Sequence, residues 1–131
     1  MAIVKVVARF ADGRVVKGST QDFAPHKDTF HIHEDGGEGP VLIERDTLKA
    51  LFFVKTFEGD RHHVETRSFD GARGQGKKML VTFADSESLT GFTMGYSRER
   101  PGFFLIPTDA ESNNERIFVV LKSVAAIEPV T

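Results

Sequence analysis

The chain spells nearly the same phrase twice, FADGRVVKG at positions 10–18 and FADSESLTG at positions 83–91. A shift of 73 positions superposes Phe10 on Phe83, Ala11 on Ala84, Asp12 on Asp85, Gly18 on Gly91, Thr20 on Thr93 and Phe30 on Phe103. The same shift pairs like with like at Val16 and Leu89, Phe23 and Tyr96, Lys27 and Arg100, and Ile32 and Leu105. Further along, the offset slips to 76, where LIERDTLKALFFV (42–54) lies against FVVLKSVAAIEPV (118–130), so the second copy carries three more residues around Asn113 and Asn114. A repeat of this kind constrains the fold strongly, because each copy must be able to adopt the same supersecondary unit. Half of 131 residues buries little core on its own, so the two units are expected to lean on each other.

Each copy reads as strands. IVKVVARF (3–10) is dense in β-branched residues, which fit a pleated surface better than a helix. Asp12-Gly13 then supplies a hairpin turn, since glycine accepts the positive φ that tight type I′ turns require. Gly18 sits inside the next strand, where it suits a bend at which another backbone comes close. FHIH (30–33) is a third strand, and VLIERDTLKALFFV (41–54) supplies two more, broken by a turn near 45–47. The second copy has Asp85-Ser86 in place of Asp12-Gly13, so its hairpin must use another turn or carry strain. The expected fold is all-β: two tandem five-stranded small barrels of the Sm-like or SH3 type, related by internal duplication, each closing on itself and so removing its free edges. The first spans 1–54 and the second 79–131, with a crossing segment at 55–78 whose charge and glycine are interrupted by Phe57, Val64 and Phe69, side chains suited to docking on a barrel.

Composition narrows the role. Twelve phenylalanines against one tyrosine and no tryptophan favour dry interiors, and the absence of cysteine excludes disulfides and thiolate chemistry. A formal net charge of −2 gives no global pull toward polyanions. No stretch reaches the length of a membrane span and no leader pattern is present, so a cytoplasmic protein is expected, without membrane contact.

The order of strand, Asp-Gly turn, glycine-containing strand, apolar strand and a final VLKSVAAI run (120–127) resembles the Sm-like small barrels, the family that includes a bacterial RNA chaperone. The residues that carry the likeness are Phe10, Asp12, Gly13 and Gly18 in the first copy, and Phe83, Asp85, Gly91 and that run in the second. The chain as a whole is also similar to tandem bacterial proteins of this type whose function is unassigned. The resemblance implies ring-forming edge-strand pairing, for which a tandem chain is a built-in dimer. The family's RNA-holding pair near the fifth strand has no counterpart, because this chain reads Lys122-Ser123 there in one copy and Asp46-Thr47 in the other.

Candidate binding residues fall in two groups. Phe104 and Ile106 occupy places held by His31 and His33 in the first copy; since Phe30 and Ile32 match Phe103 and Leu105, the shared face is interior, and Phe104 with Ile106 must point outward and need cover. The cover is expected from the crossing-segment phenylalanines, from the other barrel or from a partner subunit, and as a functional surface this apolar face points to a protein partner or self-association. A basic group of Arg98 and Arg100 beside Tyr96, with Arg73, Lys77 and Lys78, could instead engage RNA or a nucleotide by charge and stacking. His31 and His33 are read as an ordinary polar strand face, with no metal and no cofactor expected. Asp12 and Asp85 are explained by their turns, and no catalytic motif is present, so the expected function is a non-catalytic binding or scaffold module.

Overall fold

A computed structural model describes residues 3–58, 69, 76–109 and 111–130. Among these residues the strands are β1 (Val4–Phe10), β2 (Val15–Thr20), β3 (Thr29–Glu34), β4 (Pro40–Glu44), β5 (Leu48–Val54), β6 (Lys77–Phe83), β7 (Ser88–Thr93), β8 (Gly102–Pro107), β9 (Asn114–Val120) and β10 (Val124–Pro129). Short 3₁₀ turns at Arg45–Thr47 and Leu121–Ser123 precede β5 and β10. No helix among the described residues is long and apolar enough to cross a membrane.

The two offsets seen in the sequence reappear as strand boundaries: β1 to β3 map onto β6 to β8 by 73, and β4, its 3₁₀ turn and β5 map onto the second half of the chain by 76. Backbone hydrogen bonds repeat with them. The Phe10 amide donates to the Arg14 carbonyl at 2.9 Å and the Phe83 amide to that of Glu87 at 2.8 Å, while Ala11 donates to Thr47 at 3.0 Å and Ala84 to Ser123 at 2.9 Å. Gly13 turns its hairpin at φ 98°, and Ser86 holds the matching place at φ 77°. The second hairpin therefore keeps the left-handed turn with a residue that carries a Cβ, at a steric cost glycine avoids. At Gly18 an added Cβ would lie 2.1 Å from the His33 carbonyl oxygen, the close strand approach expected there.

Closure, however, takes a different form from the one expected. All ten strands form one antiparallel sheet in the order β10-β6-β7-β8-β9-β5-β1-β2-β3-β4. Among the described residues neither copy closes on itself: β5 pairs with β1 on one side and with β9 of the other copy on the second, in the register Ala50 to Val119, Leu51 to Phe118 and Phe52 to Ile117. The two units are thus joined through a strand pair that an isolated barrel would leave open, and among the described residues β4 and β10 are the outermost strands of the sheet.

This junction explains why LKALFFV and RIFVV lack polar alternation. Every residue of β5 is buried, because its two faces serve two cores. Leu51 and Phe53 pack with Val6, Phe10, Phe30 and Ile32, whereas Ala50, Phe52 and Val54 pack with Val81, Phe83, Phe103 and Leu105. Strand β9 does the same in reverse, sending Phe118 and Val120 into the first core and Ile117 and Val119 into the second. Each core therefore contains side chains from the other repeat.

Polar contacts lock the seam. Buried Lys49 donates from Nζ to Asp85 Oδ2 at 2.6 Å and to Glu87 Oε1, and Arg9 Nη1 reaches the same Glu87 oxygen at 2.9 Å. The Ser123 hydroxyl donates to the Leu48 carbonyl at 3.0 Å. The Asn113 side chain donates to the Thr56 carbonyl at 2.8 Å and accepts from the Thr56 amide at 3.1 Å, which uses the longer second-copy loop to pin the chain leaving β5.

Candidate functional site

Two features stand apart from the packed interior: a cavity where the repeats meet and, among the described residues, the two outermost strands of the sheet.

The cavity has a volume of about 700 Å³. It lies over β8, whose residues Gly102, Phe103, Phe104 and Ile106 line it, with Phe92 of β7 and Arg116 and Phe118 of β9 beside them. Pro25 and His26, from the loop between β2 and β3 of the first copy, complete the wall. That loop is held by Arg45, whose buried guanidinium donates from Nη1 to the carbonyl of Lys27 at 2.8 Å and to that of Pro25 at 3.3 Å.

Phe104 faces outward from its own repeat as expected, and Phe23 and Phe53 of the other repeat cover it together with Phe118 of its own. Its ring meets Phe118 at 5.2 Å, Phe53 at 5.9 Å and Phe23 at 6.4 Å between centroids. Ile106 stays 45% exposed on the cavity wall. The two crossing-segment phenylalanines that are described are both docked: Phe57 on the second core and Phe69 edge-on against Phe92 at 5.3 Å, while Val64 lies outside the described residues.

The basic candidates are divided. Arg100 lines the cavity with Phe104, but Tyr96 and Arg98 line a separate shallow groove with Leu121 and β10 residues Val124 to Ile127. The physical reason is a turn, closed by the Arg100 amide donating to the Ser97 carbonyl at 3.3 Å, and the packing of Tyr96 edge-on against Phe103 at 5.1 Å. Lys77 and Lys78 open β6, with Lys78 Nζ 5.6 Å from the Phe69 ring centroid; Arg73 lies outside the described residues. In the first copy, His31 Nδ1 is 2.7 Å from Asp22 Oδ2 and the His31 amide donates to Asp22 Oδ1 at 2.9 Å. Burial pulls the Asp22 carboxyl upward, yet these bonds and one from Thr20 outweigh it and leave it below the usual range.

Arg116 is the functional candidate that sequence reasoning passed over. Its guanidinium carbon sits 4.3 Å from the Phe53 ring centroid and 4.7 Å from that of Phe104, so two rings orient its charge. The available signal was its place in RIFVV, two residues before Phe118 and so on the same strand face.

At the sheet ends, equivalent positions differ in cover. Leu42 of β4 is 58% exposed, whereas its counterpart Phe118 is 1% exposed; Val41 is 37% exposed and its counterpart Ile117 is 2% exposed. The β4 edge thus shows to water the side chains that the internal junction buries. Pro40 and Pro129 stand on the two outermost strands, where each removes one backbone donor from its edge.

A sequence-family model matches residues 3–131, and its description is a family of unknown function. No curated protein and no solved structure matches the chain.

Proposed function

We propose, for a chain that belongs to the DUF6982 family, that it is a non-catalytic assembly module which joins copies of itself through the free ends of its sheet. The observation that carries this reading is the exposure of Val41 and Leu42 at positions whose counterparts are buried in the β5 and β9 junction. Because β10 corresponds to β5 and β4 to β9, the internal junction supplies a template for the external one. Carrying its register over by 76 places Ala126 opposite Ile43, Ile127 opposite Leu42, and Glu128 opposite Val41 of the next molecule. Repetition of a heterologous contact gives a ring if the rotation closes and a filament if it does not.

The external contact is weaker than the internal one. Glu128 and Ala125 replace Phe52 and Lys49, so both an aromatic anchor and the ion-paired ammonium are missing. Assembly is therefore reversible and dependent on concentration. RNA or nucleotide binding through Tyr96, Arg98, Arg100, Lys77 and Lys78 is the less favoured reading, since Arg98 and Arg100 open onto different depressions.

Light scattering across a concentration series tests the proposal. The wild-type chain should grow in mass with concentration, and Leu42→Arg should stay monomeric throughout, with a melting temperature equal to that of the wild-type chain in dilute solution. A wild-type chain that remains monomeric at its solubility limit overturns it.

A further inference from the structure

The cavity over β8 poses a question that strand pairing leaves untouched: what keeps its apolar wall from water. Met94 is 78% exposed there and Ile106 45%, beside the buried rings of Phe92 and Phe103. Among the described residues no carboxylate lines the cavity, and neither Arg100 nor Arg116 has an ion-pair partner. Cations without carboxylates beside an exposed apolar wall are complementary to an amphipathic anion.

The placement of the two arginines adds a length. Arg100 immediately precedes Pro101 and β8, whereas Arg116 follows from the register of Leu105 with Ile117 and lies opposite Ile106, near the far end of that strand. From Gly102 to Ile106 the backbone advances by about 13 Å at the usual rise of a strand. The two arginines are therefore attached to the backbone toward opposite ends of β8, with the Arg116 guanidinium lying against the Phe104 ring. Arg116 is the better organised of the two, because its guanidinium carbon lies over both the Phe53 and Phe104 rings, and a guanidinium can grip a carboxylate through two parallel N–H bonds.

The geometry points to a binding site for a linear apolar dicarboxylate, its carbon chain lying along β8 against Phe92, Phe103 and Ile106 and one carboxylate meeting each arginine. The volume of about 700 Å³ lies in the range that small organic ligands occupy. A polyphosphate or nucleotide fits less well, as among the described residues the lining offers few polar groups to read a base and no lysine to share the charge.

Titration of the ¹⁵N-labelled wild-type chain with dodecanedioate, dodecanoate and dodecanol, followed by amide shifts, tests the assignment. Dodecanedioate should bind most tightly and dodecanol least, with the shifts centred on residues 92 and 102–106. Arg116→Gln should weaken dodecanoate and dodecanedioate by about tenfold, the loss expected for one charge-assisted contact. Arg100→Gln should erase only the advantage of the diacid over the monoacid. Dodecanol binding as tightly as the acids, equal affinity of the mono- and diacid for the wild-type chain, or shifts centred elsewhere would each overturn the site. The wild-type titration needs no variant to fold.

Discussion

Positions 42 and 118 are equivalent in the repeat and opposite in environment, so truncating each weighs what the junction contributes. Phe118 is 1% exposed in the first core, with edge-on ring contacts at 5.2 Å to both Phe23 and Phe104. Truncating a buried phenylalanine to alanine costs about 3–5 kcal/mol. Each aromatic pair adds about 0.5–1.5 kcal/mol beyond the area buried, which places Phe118→Ala near the top of that range. Phe118→Leu keeps most of the volume and forfeits the two ring contacts, for about 1–2 kcal/mol. Leu42→Ala removes a side chain that is already 58% exposed, so in dilute solution it should cost at most about 0.5 kcal/mol. Urea unfolding followed by far-ultraviolet circular dichroism reads all three, and repeating it at high protein concentration should enlarge the cost of Leu42→Ala alone, because an assembled β4 edge is stabilised by mass action. Equal costs for Phe118→Ala and Leu42→Ala in dilute solution would refute the shared-core account of the junction.

Three further outcomes follow from the same contacts. Ser86→Gly should raise unfolding free energy by about 1 kcal/mol, since Ser86 at φ 77° carries a left-handed conformation that glycine adopts without strain; no gain in urea midpoint contradicts this. Gly18→Ala should destabilise strongly, with loss of the β2 and β3 amide protection in hydrogen exchange, because its Cβ would lie 2.1 Å from the His33 carbonyl oxygen. Stability should fall in acid: the bond from Lys122 lowers Asp46, the bond from Lys49 lowers Asp85, and Glu87, pushed up by burial, is brought below its ordinary value by Lys49 and Arg9. Folded-state values below the unfolded ones mean stability that is present above about pH 5 and lost as pH drops through the depressed range. Urea midpoints measured down to about pH 2 should therefore decline, and Lys49→Met should flatten that decline; an unchanged slope would contradict the role of Lys49.

Much of this architecture could be read from the residues because the repeat is carried by turn and glycine positions whose backbone needs are strict. Asp12-Gly13, Gly18 and Gly91 located hairpins and close approaches, and the offset change from 73 to 76 located the longer loop that ends in Asn113. Closure was not legible. A strand such as LKALFFV, apolar on both faces, shows that two surfaces bury it but not whose surfaces they are, and here the second belongs to the other repeat. The outward direction of Phe104 followed from alternation, and its cover by Phe23, Phe53 and Phe118 needed coordinates. Arg98 and Arg100 looked like one basic site because they are two residues apart, a nearness that the turn from Ser97 to Arg100 undoes. Arg116 was passed over because its partners, Phe53 and Phe104, come from distant strands.

Head-to-tail pairing requires one end of the sheet to fit the other, and mixing two crippled chains tests that fit most directly. Leu42→Arg blocks the β4 end and Ala126→Arg blocks the β10 end, both at surface positions. In sedimentation velocity each variant alone should remain monomeric, and the equimolar mixture should form a one-to-one dimer and nothing larger, because one competent β4 and one competent β10 remain. A mixture that sediments as monomer while the wild-type chain assembles, or a variant that associates with itself, would contradict head-to-tail pairing of the sheet ends.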